Sequence, residues 1–224
     1  MDWPADVQAL AGHLGVSRFA LMGGSGGGPY TLACAQALPH GMMSAVGIFA
    51  GGGDWNAGAH HMPWIYRLSA VTAEHWPTGL RSVLSSLVWM CRTVLTSQRG
   101  TQWLDGYLQK DQDKHSKTIE ERRTDILRAL LEPFKQGSGP ATYEAKLLSQ
   151  DWGIDFGDIT YNNLHIWHAG KDWNSPLPMT EHYVKQLTNN SSFKVYEEDT
   201  HWTIHKHLDE MLSALIPEKP VAKA

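Results

Sequence analysis

A serine set among glycines constrains this chain more than any other feature: residues 21–30 read LMGGSGGGPY. The apolar run Phe19-Ala20-Leu21-Met22 ends at Gly23, Gly23 to Gly27 fits the spacing G-x-S-x-G, and an alanine-rich run follows. That order predicts a strand, a sharp turn with the serine at its apex, and a helix. A side chain held on a strained turn tolerates no bulk beside it, and strand and helix backbones that approach closely need residues without Cβ. The competing reading is a flexible GGSGGG linker. Linkers, however, are not clamped between a strand-like and a helix-like run.

At 224 residues the chain can hold one sizeable core, or a core with a small subdomain. Hydrophobic residues at 42% and charged residues at 19% describe a globular protein, and a formal net charge of -4 gives no pull toward nucleic acid or an anionic membrane. Two cysteines, Cys34 and Cys91, are too few for a disulfide framework. Both sit in apolar helical patterns and are expected as reduced core residues. No opening segment resembles a signal peptide, and no apolar run reaches the length of a membrane span. The expectation is a cytoplasmic protein with no nucleic-acid and no membrane partner.

Along the chain, Val7, Leu10, Ala11 and Leu14 have helical spacing, with Gly15 placed as a cap. A strand over 18–22, the serine turn, a helix over about 27–38 and a strand over 45–49 follow, which is the grammar of a parallel sheet. From Trp55 to about Asp158 the pattern changes. Leu80, Val83, Leu84, Leu87, Val88, Cys91, Val94 and Leu95 recur at three and four residues and predict an amphipathic helix. Further helices are expected over 116–134 and 140–150. Strand grammar returns at Leu164 to His168, with a helix over 179–187, a strand over 192–196 and a helix over 207–215. The sequence therefore divides into a first core segment (1–54), a helical insertion (55–158), a second core segment (159–216) and a polar tail (217–224), the last expected to be disordered.

Acyl transfer by a serine requires a base to remove its proton and a carboxylate to fix the base's tautomer. Both must lie near the serine turn, at the C-terminal edge of the sheet. Asp172 falls just past the strand ending at His168, and His201 just past the strand ending at Tyr196. Asp155 and Asp158 precede their strand and would lie at its wrong end. Asp54, in the loop after the second strand, is the reserve candidate for the acid.

SGGGPYTLACA around Ser25, IWHAGKDWNSP around Asp172 and EEDTHWTI around His201 resemble the α/β-hydrolase family, whose triad runs in the order serine, acid, histidine. The resemblance covers almost the whole chain and implies a partial α/β-hydrolase fold: a short parallel sheet with a helical cap insertion over 55–158. It implies hydrolysis of esters, amides, epoxides or similar small molecules without a dissociable cofactor, and with Ser25, Asp172 and His201 as the triad the expectation is a small apolar ester or related acyl substrate. Gly26 N–H is expected as one oxyanion donor. Thr200 stands where the family usually has glycine before the histidine. The strands that normally precede the serine turn, and the loop carrying the second oxyanion donor, find no counterpart, and losing one such donor can cost about 3–4 kcal/mol of transition-state stabilisation. The expectations are an incomplete chain with reduced or no activity, a first strand left as an exposed edge prone to self-association, and, as the alternative, a non-catalytic protein that pairs with another polypeptide.

His201, His205 and His207 also have the density of a metal site, yet no cysteine or carboxylate pattern supports one, so no metal is expected. Of ten tryptophans, six fall in or beside the insertion. Their plainer role is to fill the core of a small cap. The functional reading makes Trp55, Trp64 and Trp89 an apolar wall for the substrate.

Overall fold

The computed structural model describes residues 2–110, 112, 116–188 and 190–216; the tail 217–224 lies outside them. Two compact units are present, one formed by residues up to Arg67 together with those from Leu148, the other by Leu68–Leu147. Both boundaries fall inside the 55–158 segment expected from the sequence. The outer stretches of that segment pack with the first unit: Gly58 lies so close to Met179 that a Cβ would meet its side chain at 1.9 Å, and Trp152 packs edge-on against Tyr30, ring centroids 4.5 Å apart.

In the first unit, α1 (Trp3–His13) precedes β1 (Phe19–Gly24), α2 (Gly27–Ala37) and β2 (Met43–Phe49). A short α3 (Trp55–Gly58) and the start of α4 (Trp64–His75) follow. After the helical unit come β3 (Leu164–Ala169), α9 (Leu177–Val184), β4 (Ser192–Tyr196) and α10 (Leu208–Leu215). Among the described residues the sheet has four strands, all parallel and in chain order β1-β2-β3-β4.

Period-two alternation distributes the sheet's side chains between two cores. Val46, Ile48, Leu164 and Ile166 pack on one face with Leu32 of α2, Leu38 just past its end, Tyr183 of α9 and Val7 of α1. Ala45, Trp167 and Ala169 face the other way, onto Ile204 and onto Met211 and Leu215 of α10. The result is three layers, helices on both faces of a parallel sheet, which is why Ala45 to Phe49 of β2 reads as a continuous apolar run. β1 forms one edge of the sheet and is half-buried along its whole length, as an edge strand without a described outer neighbour must be.

The second unit is helical. It holds the rest of α4, then α5 (Pro77–Leu95), α6 (Gln98–Gln109), α7 (Ile119–Leu131) and most of α8 (Gly139–Leu148). A capping box starts α7: Glu121 N–H donates to the Thr118 hydroxyl and the Glu121 carboxylate accepts Thr118 N–H. Arg123 grips Asp105 on α6 with distances of 2.7 and 2.6 Å to the two carboxylate oxygens. The α5 stripe is only partly covered. Leu80 is buried and Leu84, Val88 and Leu95 half-buried, whereas Val83, Leu87 and Val94 are exposed. Cys91 is exposed too, which corrects its expected place in a core; Cys34 is buried, and burial pushes its thiol up to about 11. Among the described residues no helix is long and apolar enough to cross a membrane.

Candidate active site

Parallel strands in one sheet bring their C-terminal ends to a common edge, and three side chains predicted from the sequence meet there. Ser25 sits immediately after β1 with φ 53°, in the left-handed region that costs a side-chain-bearing residue about 1–3 kcal/mol. Backbone hydrogen bonds hold it there. Its N–H donates to Phe49 O at 3.2 Å, and its carbonyl accepts from Gly28 N–H at 3.0 Å and Gly52 N–H at 2.9 Å. Gly23 permits the close return of α2 over β1, since a Cβ there would lie 2.1 Å from the Thr31 hydroxyl and 2.6 Å from the Gly27 carbonyl.

His201 Nε2 lies 3.0 Å from Ser25 Oγ, and its Nδ1 lies 2.7 Å from Asp172 Oδ2. A carboxylate only accepts, so Nδ1–H donates to Asp172, leaving Nε2 to accept the serine proton. The Asp172 carboxylate has no exposed side-chain surface, and its other oxygen accepts the backbone N–H groups of Asn174 and Ser175, both at 2.9 Å. Both oxygens are therefore committed, which fixes the carboxylate plane and with it the imidazole.

The surrounding loops are stapled together. Gly170 N–H donates to Tyr196 O and Lys171 N–H to Asp199 O, each at 2.9 Å, tying the acid's loop to the histidine's. His168, fully buried at the end of β3, donates from Nε2 to Ser175 O at 2.8 Å and accepts the Thr180 hydroxyl on Nδ1 at 3.1 Å. Burial lowers the His168 pKa, and the neutral ring with one N–H suits both bonds. The Ser175 hydroxyl in turn donates to Gly51 O at 2.7 Å, joining this loop to the one after β2. On the histidine side, Asp199 accepts from Lys206, the Thr203 hydroxyl and His207 at 2.6, 2.7 and 2.9 Å, and these partners, Lys206 foremost, hold its carboxyl down at about 2. Thr200 in the glycine position causes no strain: among the described residues only Ser25 and Ala50 are non-glycines with positive φ.

The other candidates lie elsewhere. Asp54 caps α3, accepting Asn56 N–H, and Asp155 accepts Gly157 N–H in a turn before β3. His205 packs on the Phe49 ring and His207 stacks on Tyr196, so neither is turned to the use made of His201. Gly26 opens α2, whose first amides have no acceptor within the helix. Trp55 is half-buried beside Asp54, and Trp64 is 66% exposed at the start of α4. Trp89, on the helical unit, is 69% exposed, as are Trp76 and Trp103 to a similar degree, so these three do not fill that unit's core. Two further aromatics carry no motif that would single them out in the sequence: Trp173 and Trp202, each immediately following a member of the cluster and each well exposed. Their adjacency to Asp172 and His201 is the only signal the sequence holds for them.

No family model matches the chain, and no curated protein matches it in sequence. Solved structures do match it in fold. An alpha/beta hydrolase enzyme from a Medee basin deep-sea metagenome library superposes with a TM-score of 0.58 at 15% identity, over 95% of this chain and 68% of that one. An esterase from Exiguobacterium antarcticum gives 0.57 at 13%, over 95% and 70%. An enol-lactonase from Burkholderia xenovorans gives 0.54 at 13%, over 94% and 69%.

Proposed function

We propose that this chain, which has a partial α/β-hydrolase fold, is a serine hydrolase acting on a small apolar ester or related acyl substrate. The observation that carries the reading is the continuous hydrogen-bonded path from Ser25 through His201 to Asp172. Ser25 Oγ attacks the acyl carbonyl as its proton passes to His201 Nε2. His201 then returns that proton to the departing oxygen, leaving an acyl group on Ser25. Water attacks the acyl-serine with His201 again as base, and the serine is restored. Asp172 holds the ring in the tautomer that accepts on Nε2 and stabilises the imidazolium that forms. Gly26 N–H is the proposed oxyanion donor. Trp55 and Trp64 are the proposed apolar contacts in the first unit, while a role for Trp89 rests on the sequence alone. The test is turnover of p-nitrophenyl acetate by the purified chain. Loss of turnover in Ser25→Ala, and a fall of roughly 10³–10⁴ in kcat for Asp172→Asn, support the reading; turnover unaffected by Ser25→Ala removes it.

A further inference from the structure

We propose that Trp202 is the platform for the leaving group, so that the site favours esters whose alcohol half carries an aromatic ring. The inference rests on the serine-hydrolase reading and adds which half of the substrate is recognised. Trp202 follows His201, and the two rings meet edge to face, centroids 5.4 Å apart and planes at 80°. The His201 side chain is nearly buried, yet the adjoining indole is 70% exposed. This exposure is not that of a loose loop. The turn is pinned by the Thr203 hydroxyl, which accepts Thr200 N–H at 2.9 Å and donates to Asp199 at 2.7 Å.

A single exposed tryptophan is ordinary; its neighbour is what gives this one a use. The proton that His201 takes from Ser25 must return to the leaving oxygen, which therefore comes within about 3 Å of Nε2. As the Ser25 Oγ–carbon bond forms and the carbon–alkoxy oxygen bond breaks, that proton converts the alkoxide to the free alcohol. Whatever the alcohol oxygen carries starts within reach of the imidazole, and the Trp202 indole is the ring packed against that imidazole. The acyl chain, attached to the carbonyl carbon, carries no such obligation to His201. Trp173 has no equivalent argument, because Asp172 binds the ring nitrogen remote from Ser25.

The experiment compares ethyl, benzyl and 2-naphthylmethyl acetate with ethyl phenylacetate, whose ring is on the acyl side, in wild-type, Trp202→Phe and Trp202→Ala chains. Fluorophosphonate labelling of Ser25 is measured on each protein. Edge and stacking contacts of one aromatic pair change kcat/KM by roughly 2- to 10-fold. The expected result is a loss of that size for benzyl and 2-naphthylmethyl acetate in Trp202→Ala, smaller in Trp202→Phe, with ethyl acetate and ethyl phenylacetate within about twofold of wild type. Labelling retained with an equal loss for all four esters, with no loss for any, or with loss only for ethyl phenylacetate, overturns the leaving-group assignment alone. Absence of labelling and of all turnover in the wild-type chain overturns the hydrolase reading and this inference with it.

Discussion

Gly27 and Gly28 are consecutive at the start of α2, and alanine should act on them in opposite directions. A Cβ on Gly27 meets nothing within 4 Å, so only helix propensity changes there, a gain of up to about 1 kcal/mol. A Cβ on Gly28 would sit 2.6 Å from Gly52 O and 3.0 Å from both Gly51 Cα and Gly52 N, all backbone atoms that cannot swing aside. Reaching an ordinary carbon–oxygen contact of about 3.3 Å requires the 51–53 loop to retreat by roughly 0.7 Å. That retreat strains or breaks the 2.9 Å bond from Gly52 N–H to the Ser25 carbonyl. Overpacking costs about 1–3 kcal/mol and the lost bond about 0.5–1.5 kcal/mol, less the same propensity gain. The net loss is about 0.5–3.5 kcal/mol, and at about 2–4 °C per kcal/mol for a chain of this size Tm should fall by roughly 1–14 °C. Thermal unfolding of Gly27→Ala and Gly28→Ala side by side measures the difference. If Gly28→Ala unfolds at or above the temperature of Gly27→Ala, the close approach of α2 to this loop is not what holds Ser25 in place.

Two other perturbations address the scaffold around the site. Because its partners hold the Asp199 carboxyl at about 2, below its ordinary value of 3.8, the unfolded chain binds this proton more readily, so the stabilisation is complete above about pH 4 and is lost as pH falls toward 2; the stability gap between wild type and Asp199→Asn should shrink from pH 5 to pH 2.5, and a gap constant over that range would contradict the assignment. His168→Phe keeps the bulk of a fully buried side chain but deletes its bonds to Ser175 and Thr180, so denaturant unfolding should show a loss of about 1–3 kcal/mol, whereas unchanged stability would show that this buried network does not hold the Asp172 loop.

The core and the candidate site are legible in the sequence where chemistry and periodicity coincide. Ser25, Asp172 and His201 each stand just beyond a short apolar run, and in a parallel sheet such positions converge whatever the sequence separation. β4 reads as Ser192 to Tyr196 because Phe193 and Val195 alternate with polar residues, and the structure has the same bounds. The helical unit is less legible. α4 has no readable pattern because its large apolar residues Trp64, Ile65, Leu68 and Val71 are exposed while small Ala70 and Ala73 are buried, which inverts the usual signal. α6 is equally hidden, since its buried face is only Gly100, Leu104 and Leu108, among many polar residues. The α5 stripe promises more burial than the structure delivers, since a repeat of three and four marks an apolar face without saying how much of it is covered. The role of His168 is invisible for another reason: its partners, the carbonyl of Ser175 and the hydroxyl of Thr180, are defined only once the chain has turned back from β3 into α9.

The central claim is that Ser25 is an activated nucleophile, and covalent labelling of the full chain by a fluorophosphonate, read by intact mass and peptide mapping, tests it most directly. A single label on the peptide containing Ser25 is predicted, absent in Ser25→Ala and slowed by about 10² or more in His201→Ala, which lacks the proposed general base. A wild-type chain that takes no label, or a label that persists in Ser25→Ala, would contradict it.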